Sequence, residues 1–145
     1  MRGSGASIGG FQLGSHGDNR RLVLFVDDDE RLRHVFRRVL ERSGYLVEIA
    51  ENGREGMERL RGAHFDLIVL DIDMPVMNGR EFLVARARDP KLAAIPVVVY
   101  SADPQPAAVP AGVSAWIWKG TEVSDLLHAI SAAVTAAMRA VAAAR

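Results

Sequence analysis

The chain has no cysteine. That excludes disulfides and thiolate metal sites. Neither sign of charge is in excess: 18 Lys and Arg match 18 Asp and Glu. No overall field therefore draws the molecule to nucleic acid or to an anionic membrane. No unbroken apolar run approaches the roughly 18–20 residues of a membrane span, and the first residues lack the apolar core of a secretion signal. The expectation is a cytoplasmic protein with no membrane attachment and no direct nucleic-acid binding. What remains is 145 residues, enough for one domain with a full core.

Residues 1–20 are rich in glycine and serine, with Phe11 and Leu13 as the main apolar exceptions. Such a stretch buries too little to order itself, so it reads as a flexible N-terminal extension with His16 as a loop residue. Met1-Arg2-Gly3-Ser4 suits an expression leader or a natural extension equally.

From residue 21 onward, strand and helix signals alternate five times. Leu22 to Val26 reads as a buried strand ending in Asp27, Asp28 and Asp29. Leu32, Val35, Phe36, Val39 and Leu40 follow at helical spacing among five arginines, and Ser43-Gly44 stops that helix. Leu46 to Ile49 is a second strand. Asn52-Gly53 opens a helix carrying Met57 and Leu60. Phe65 to Leu70 is a third strand. Gly79 to Arg88 is helix-like, with Arg86 out of place on the expected core face, and Asp89-Pro90 ends it. Ile95 to Tyr100 is a fourth strand and Ala115 to Trp118 a fifth. Val123, Leu126, Leu127, Ile130, Val134, Met138 and Val141 mark a long last helix, with Thr121 as its N-cap. Pro104, Pro106 and Pro110 leave room for only a short or irregular fourth helix. This pattern predicts an α/β fold, a doubly wound parallel sheet.

The strand ends carry the chemistry. Asp27 and Asp28, Asp71, Ser101 and Lys119 each follow a strand, and in a parallel sheet those ends share one edge, where open α/β sheets bind ligands. Three carboxylates brought together repel one another, and a divalent cation resolves the repulsion. An all-oxygen site with room for water and phosphate suits Mg²⁺ or Mn²⁺. Acids, metal, lysine and hydroxyl together equip a site for phosphoryl transfer onto a carboxylate.

Val26-Asp27-Asp28, the stretch Leu70-Asp71-Ile72-Asp73-Met74-Pro75-Val76-Met77-Asn78-Gly79, Val99-Tyr100-Ser101-Ala102 and Trp118-Lys119 occur in the order found in response regulator receiver domains. From about Arg21 to the C-terminus the chain resembles that family. The resemblance implies a flavodoxin-like five-stranded sheet of order 2-1-3-4-5, an order for which the chemotaxis receiver is a standard example. It implies Asp71 as phosphoacceptor. Mg²⁺ would be held by Asp28 and Asp71, by Asp27 directly or through water, and by the backbone carbonyl of Asp73. Ser101 matches the switch hydroxyl, Lys119 the lysine that contacts the phosphoryl group, and Trp116 the aromatic switch position, where tyrosine or phenylalanine is more usual.

Two departures stand out. The family lysine is normally followed by proline, often through a cis bond, but Gly120 follows here; a trans bond is expected, because cis costs about 2.5–4 kcal/mol before a non-proline residue. The segment from Ser101 to Trp116 is about one helical turn short. The functional expectation is a stand-alone phosphorylation switch and not an enzyme. It would be a monomer or weak homodimer, phosphorylated by a sensor histidine kinase or phosphotransfer domain and signalling to a downstream protein. The alternatives are a pseudo-receiver that docks without being phosphorylated and, from another class, a haloacid-dehalogenase-like phosphatase.

Overall fold

The computed structural model describes residues 19–144. Residues 1–18 of the expected extension, with Phe11, Leu13 and His16, lie outside the described residues. The elements in order are β1 (Leu22–Val26), α1 (Glu30–Arg42), β2 (Leu46–Ala50), α2 (Gly53–Gly62), β3 (Leu67–Leu70), α3 (Gly79–Ala87), the single turn α4 (Pro90–Ala93), β4 (Val97–Ser101), β5 (Val113–Trp118) and α5 (Val123–Ala143).

All four strand pairings are parallel, in the order β2-β1-β3-β4-β5. Alternate strand residues feed two cores, as the two-residue period of a strand requires. Leu24, Val26, Ile68, Leu70, Val97 and Val99 face one layer, with Met57, Leu60, Phe82 and Leu83. Val23, Phe25, Leu67, Val69, Val98 and Tyr100 face the other, with Phe36, Leu40, Leu126 and Ile130. Helices therefore cover both faces, and burial on both sides explains the unbroken apolar runs of β1, β3 and β4.

Caps fix where the helices begin. Asp29 Oδ1 accepts from the N–H groups of Arg31 and Leu32 at the start of α1. Asn52 caps α2 through the Glu55 N–H. Asn78 and Glu81 close a reciprocal capping box at α3, a device that satisfies two otherwise orphaned donors.

Several sequence expectations are corrected. Val35 is exposed on α1, which buries Phe36 and Leu40 instead. Thr121 does not cap α5; Glu122 occupies that position without a side-chain bond, and Thr121 Oγ1 donates to the Trp118 carbonyl instead. Met138 and Val141 of α5 are exposed. No helix lies between β4 and β5, a stronger departure than a shortened one. Finally, α5 is long and apolar enough to cross a membrane by length and composition. Its stripe of Leu126, Ile130, Ala133 and Val134 packs into the core, as a covering helix of a sheet does.

Candidate functional site

The carboxyl ends of β1, β3, β4 and β5 meet at one edge of the sheet. Asp27 directly follows β1, Asp71 directly follows β3, Ser101 is the last residue of β4, and Lys119 directly follows β5. The parallel ladders place them there: Val26 pairs with Leu70, Leu70 with Val99, and Ser101 with Trp118. The Lys119 N–H donates to the Ser101 carbonyl at 2.8 Å, extending the last ladder by one rung.

The three acids after β1 have three different tasks. Asp27 is buried, and its Oδ1 accepts from the Asp29 N–H at 2.9 Å. Asp28 is exposed. Asp29 turns away to cap α1. Carboxylate oxygens of Asp27, Asp28 and Asp71 all lie within 4.8 Å of one another.

Lys119 Nζ reaches into this group, 2.8 Å from Asp27 Oδ2 and 3.5 Å from Asp71 Oδ1. It also lies 5.8 Å from the centre of the Tyr100 ring. Beyond the ion pair with Lys119, no hydrogen bond reaches the buried Asp27 Oδ2. Asp71 Oδ1 accepts from the N–H of Ile72 at 2.9 Å.

The electrostatics follow from burial. Desolvation, then the charge of Asp27, push the Asp71 carboxyl up to about 7; Lys119 and the Ile72 N–H oppose them. Desolvation also raises Asp27, against the pull of Lys119. Burial by itself would lower Lys119, but its hydrogen bond to Asp27 and the charges of Asp27 and Asp71 hold it above the usual lysine range. One ammonium does not neutralise three acids. The set is a cluster of hard oxygen donors with surplus negative charge, and it fits Mg²⁺ or Mn²⁺.

Ser101 is buried, and its Oγ accepts from the Asp103 N–H at 3.0 Å. Trp116 is 8% exposed, packs into the core, and donates from Nε1 to the Asp103 carbonyl at 3.0 Å. Asp73, two residues past Asp71, has an exposed side chain. Trp118 is 54% exposed. No described peptide bond is cis, so the bond after Lys119 is trans as expected.

Arg33 belongs to the site and was not singled out from sequence, where it is one of five arginines on α1. Its Nη1 donates to the Asp27 carbonyl at 2.8 Å, holding the acidic turn from one helical turn away. Position six residues beyond Asp27 was the only available signal.

The chain is 38% identical over 84 residues to the transcriptional regulatory protein ResD of Bacillus subtilis, covering 58% of this chain and 34% of ResD. It is 29% identical over 119 residues to the CAI-1 autoinducer sensor kinase/phosphatase CqsS of Vibrio cholerae, covering 79% of this chain and 17% of that protein. It thus spans about a third of the one protein's length and about a sixth of the other's. Among solved structures, the chemotaxis response regulator CheY4 of Vibrio cholerae superposes with a TM-score of 0.72 at 30% identity, covering 79% of this chain and 99% of that one. A CheY-like receiver domain protein from Methanospirillum hungatei gives 0.72 at 28%, covering 83% and 98%. Residues 23–131 match the response regulator receiver domain, and the chain belongs to that family.

Proposed function

We propose that this receiver is a phosphorylation switch. Asp71 takes a phosphoryl group from a histidine kinase or phosphotransfer protein in the presence of Mg²⁺, and the change is read by a downstream protein. The observation that carries this reading is the trio of carboxylates within 4.8 Å of one another, facing Lys119.

Asp71 Oδ1 is engaged by the Ile72 N–H and faces Lys119, which leaves Oδ2 to attack phosphorus as the donor's bond to phosphorus breaks. The product is an acyl phosphate on Asp71. Asp71 attacks only when ionised, so its raised proton affinity must be offset as the site fills. Asp27, Asp28 and Asp71, with the Asp73 carbonyl, would hold Mg²⁺, which would neutralise charge on the transferring group. Lys119 can leave Asp71 for a phosphoryl oxygen while keeping Asp27, and Ser101 supplies a hydroxyl donor to another. The acyl phosphate carries about 1.5 to 2 negative charges where the carboxylate carried one, and the new bonds to Ser101 and Lys119 bias a two-state equilibrium at the β4 and β5 ends.

Balanced charge supports a protein target over a nucleic acid, and a cytoplasmic setting with a monomeric or weakly dimeric state accords with the family. The phosphatase alternative draws no support from the comparisons. The pseudo-receiver reading is the one to test against. Beryllofluoride, added with Mg²⁺, is expected to change tryptophan emission in the native protein and not in Asp71→Asn. Acetyl phosphate is expected to leave an acid-stable, base-labile phosphoryl adduct on residue 71. Absence of both responses would favour docking without phosphorylation.

A further inference from the structure

Three groups hold the Lys119 ammonium. Two are the carboxylates of Asp27 and Asp71, at 2.8 and 3.5 Å. The third is the ring of Tyr100, with Nζ over it and 5.8 Å from its centre. We propose that Tyr100 is a positioning residue for Lys119: the face of its ring holds the ammonium by a cation–π contact, so that the lysine stays placed for a phosphoryl group on Asp71 once the carboxylates turn to a metal ion. This rests on the function proposed above and adds to it the residue that places its lysine.

The lysine needs such a hold. Its ammonium sits on a flexible four-carbon stem, and ordering that stem costs entropy each time a ligand is bound. Gly120 follows it through a trans bond, so no proline ring stiffens the peptide after it. Both anionic partners are also residues that would hold Mg²⁺, and a carboxylate shared with a divalent ion attracts an ammonium less. The ring face is not among the oxygen donors such an ion takes, so the Tyr100 contact persists when the two ion pairs weaken.

The fold fixes both partners. Val97 pairs with Val113 but Val98 pairs with Ala115, so Ser114 is the extra residue in β5. Beyond that bulge Tyr100 pairs with Ile117, and both face the α1–α5 layer. Side chains alternate along a strand, so Lys119, two residues past Ile117, emerges on the Tyr100 side. The Lys119 N–H bond to the Ser101 carbonyl keeps the pairing in register to that point. The ring itself is locked. Tyr100 is 6% exposed and meets the Phe36 ring edge-on with centres 5.2 Å apart, and Phe36 stacks on Phe25 at 5.4 Å. Three rings, from β1 through α1 to β4, thus back the ammonium.

The test changes the ring's electrons and keeps its shape. Mono-, di- and trifluorinated phenylalanines at position 100 draw charge off the ring face step by step and so weaken its hold on a cation; Tyr100→Phe keeps the face and Tyr100→Leu removes it. In the metal-free protein, the ring current is expected to move the Lys119 ε-methylene proton resonances upfield in the parent and in Tyr100→Phe, and not in Tyr100→Leu. Beryllofluoride affinity at saturating Mg²⁺, read by calorimetry, should be kept in Tyr100→Phe, fall stepwise across the fluorinated series, and drop about two- to fivefold in Tyr100→Leu. The stepwise fall should be absent when Lys119→Met is added. A loss in Tyr100→Leu with no trend across the fluorinated rings, or the same trend without Lys119, would make Tyr100 a packing residue only. A parent that binds beryllofluoride but shows no ring-current shift would overturn this inference alone. A parent that shows the shift but fails to bind beryllofluoride would overturn the proposed function and take this role for Tyr100 with it.

Discussion

Val76 carries a backbone φ of 69°, in the left-handed region that β-branched residues avoid. The Met77 N–H donates to the Pro75 carbonyl at 2.7 Å, closing a three-residue turn with Val76 at its centre. The side chain gains little in return, being 67% exposed. The turn's use lies next door: the Met77 carbonyl accepts from the Gly53 N–H at 2.9 Å, pinning the loop after Asp71 to the start of α2. A Cβ on Gly53 would stand 2.7 Å from that carbonyl, which is why glycine is needed there. Val76→Gly is expected to raise the unfolding free energy by about 0.5–1 kcal/mol, as relief of strain exceeds the entropy glycine adds to the unfolded chain; urea midpoints with unchanged slope would check it. The loop itself was legible from Pro75 and Asn78-Gly79, but its strain was not, because valine carries no left-handed signal.

Among the elements, α3 contains the feature that periodicity made look wrong. Arg86 is 2% exposed. Its Nη2 donates to the carbonyls of Ala93 and Ile95 at 2.9 and 2.6 Å, acceptors left over at the end of the one-turn helix α4. Its guanidinium also fills the space beside Gly112, where φ is +85° and a Cβ would stand 2.9 Å from Nη2. Burial lowers its proton affinity, and Nε has no partner. Arg86 thus ties α3 to the turn between α4 and β4 and packs against Gly112, just before β5. Arg86→Ala should cost about 2–4 kcal/mol in denaturant unfolding, from a cavity plus two stranded carbonyls. The loop after β5 shows a matching constraint. The Trp118 ring lies over Gly120, and a Cβ there would run into it. Gly120→Ala is expected to displace the exposed Trp118 ring and to destabilise the protein by about 0.5–1 kcal/mol. The cost should largely vanish in Trp118→Ala, a coupling that thermal melts of the four proteins would reveal. Where the family carries proline this chain carries glycine, and a Cβ at that position would meet the Trp118 ring as it stands.

At the scale of the whole molecule, the mutual repulsion and burial of the site's acids work against the fold. Asp71 binds its proton with an affinity near 7 when folded, against an ordinary carboxylate value of 3.8. Between those values the folded state holds more protons than the unfolded state, so stability must fall as pH rises from about 4 to 7 and then level off. Asp27 is shifted in the same direction. The fall is expected to be roughly 2–4 kcal/mol and to shrink in Asp71→Asn, which removes the titrating group and should be the more stable protein at pH 8. Mg²⁺ should restore more stability at pH 8 than at pH 5, where protons compete for the same oxygens. Denaturant midpoints across pH, with and without Mg²⁺, would show a slope of the opposite sign if the acids were instead stabilised as anions.

The sequence alone determined the parallel sheet and its polar edge, because runs buried on both faces must be continuously apolar and each ends at a residue that cannot be buried alone. It also determined which acid follows which strand. Tertiary structure decided the rest. Local sequence does not distinguish Asp27, Asp28 and Asp29, yet one is buried in the site, one stays exposed and one caps a helix. Nor does it place a bulge at Ser114, which depends on how β5 seats against β4. That single extra residue puts Trp116 in the core within reach of the Asp103 carbonyl, because side chains alternate across a strand and one inserted residue resets the face.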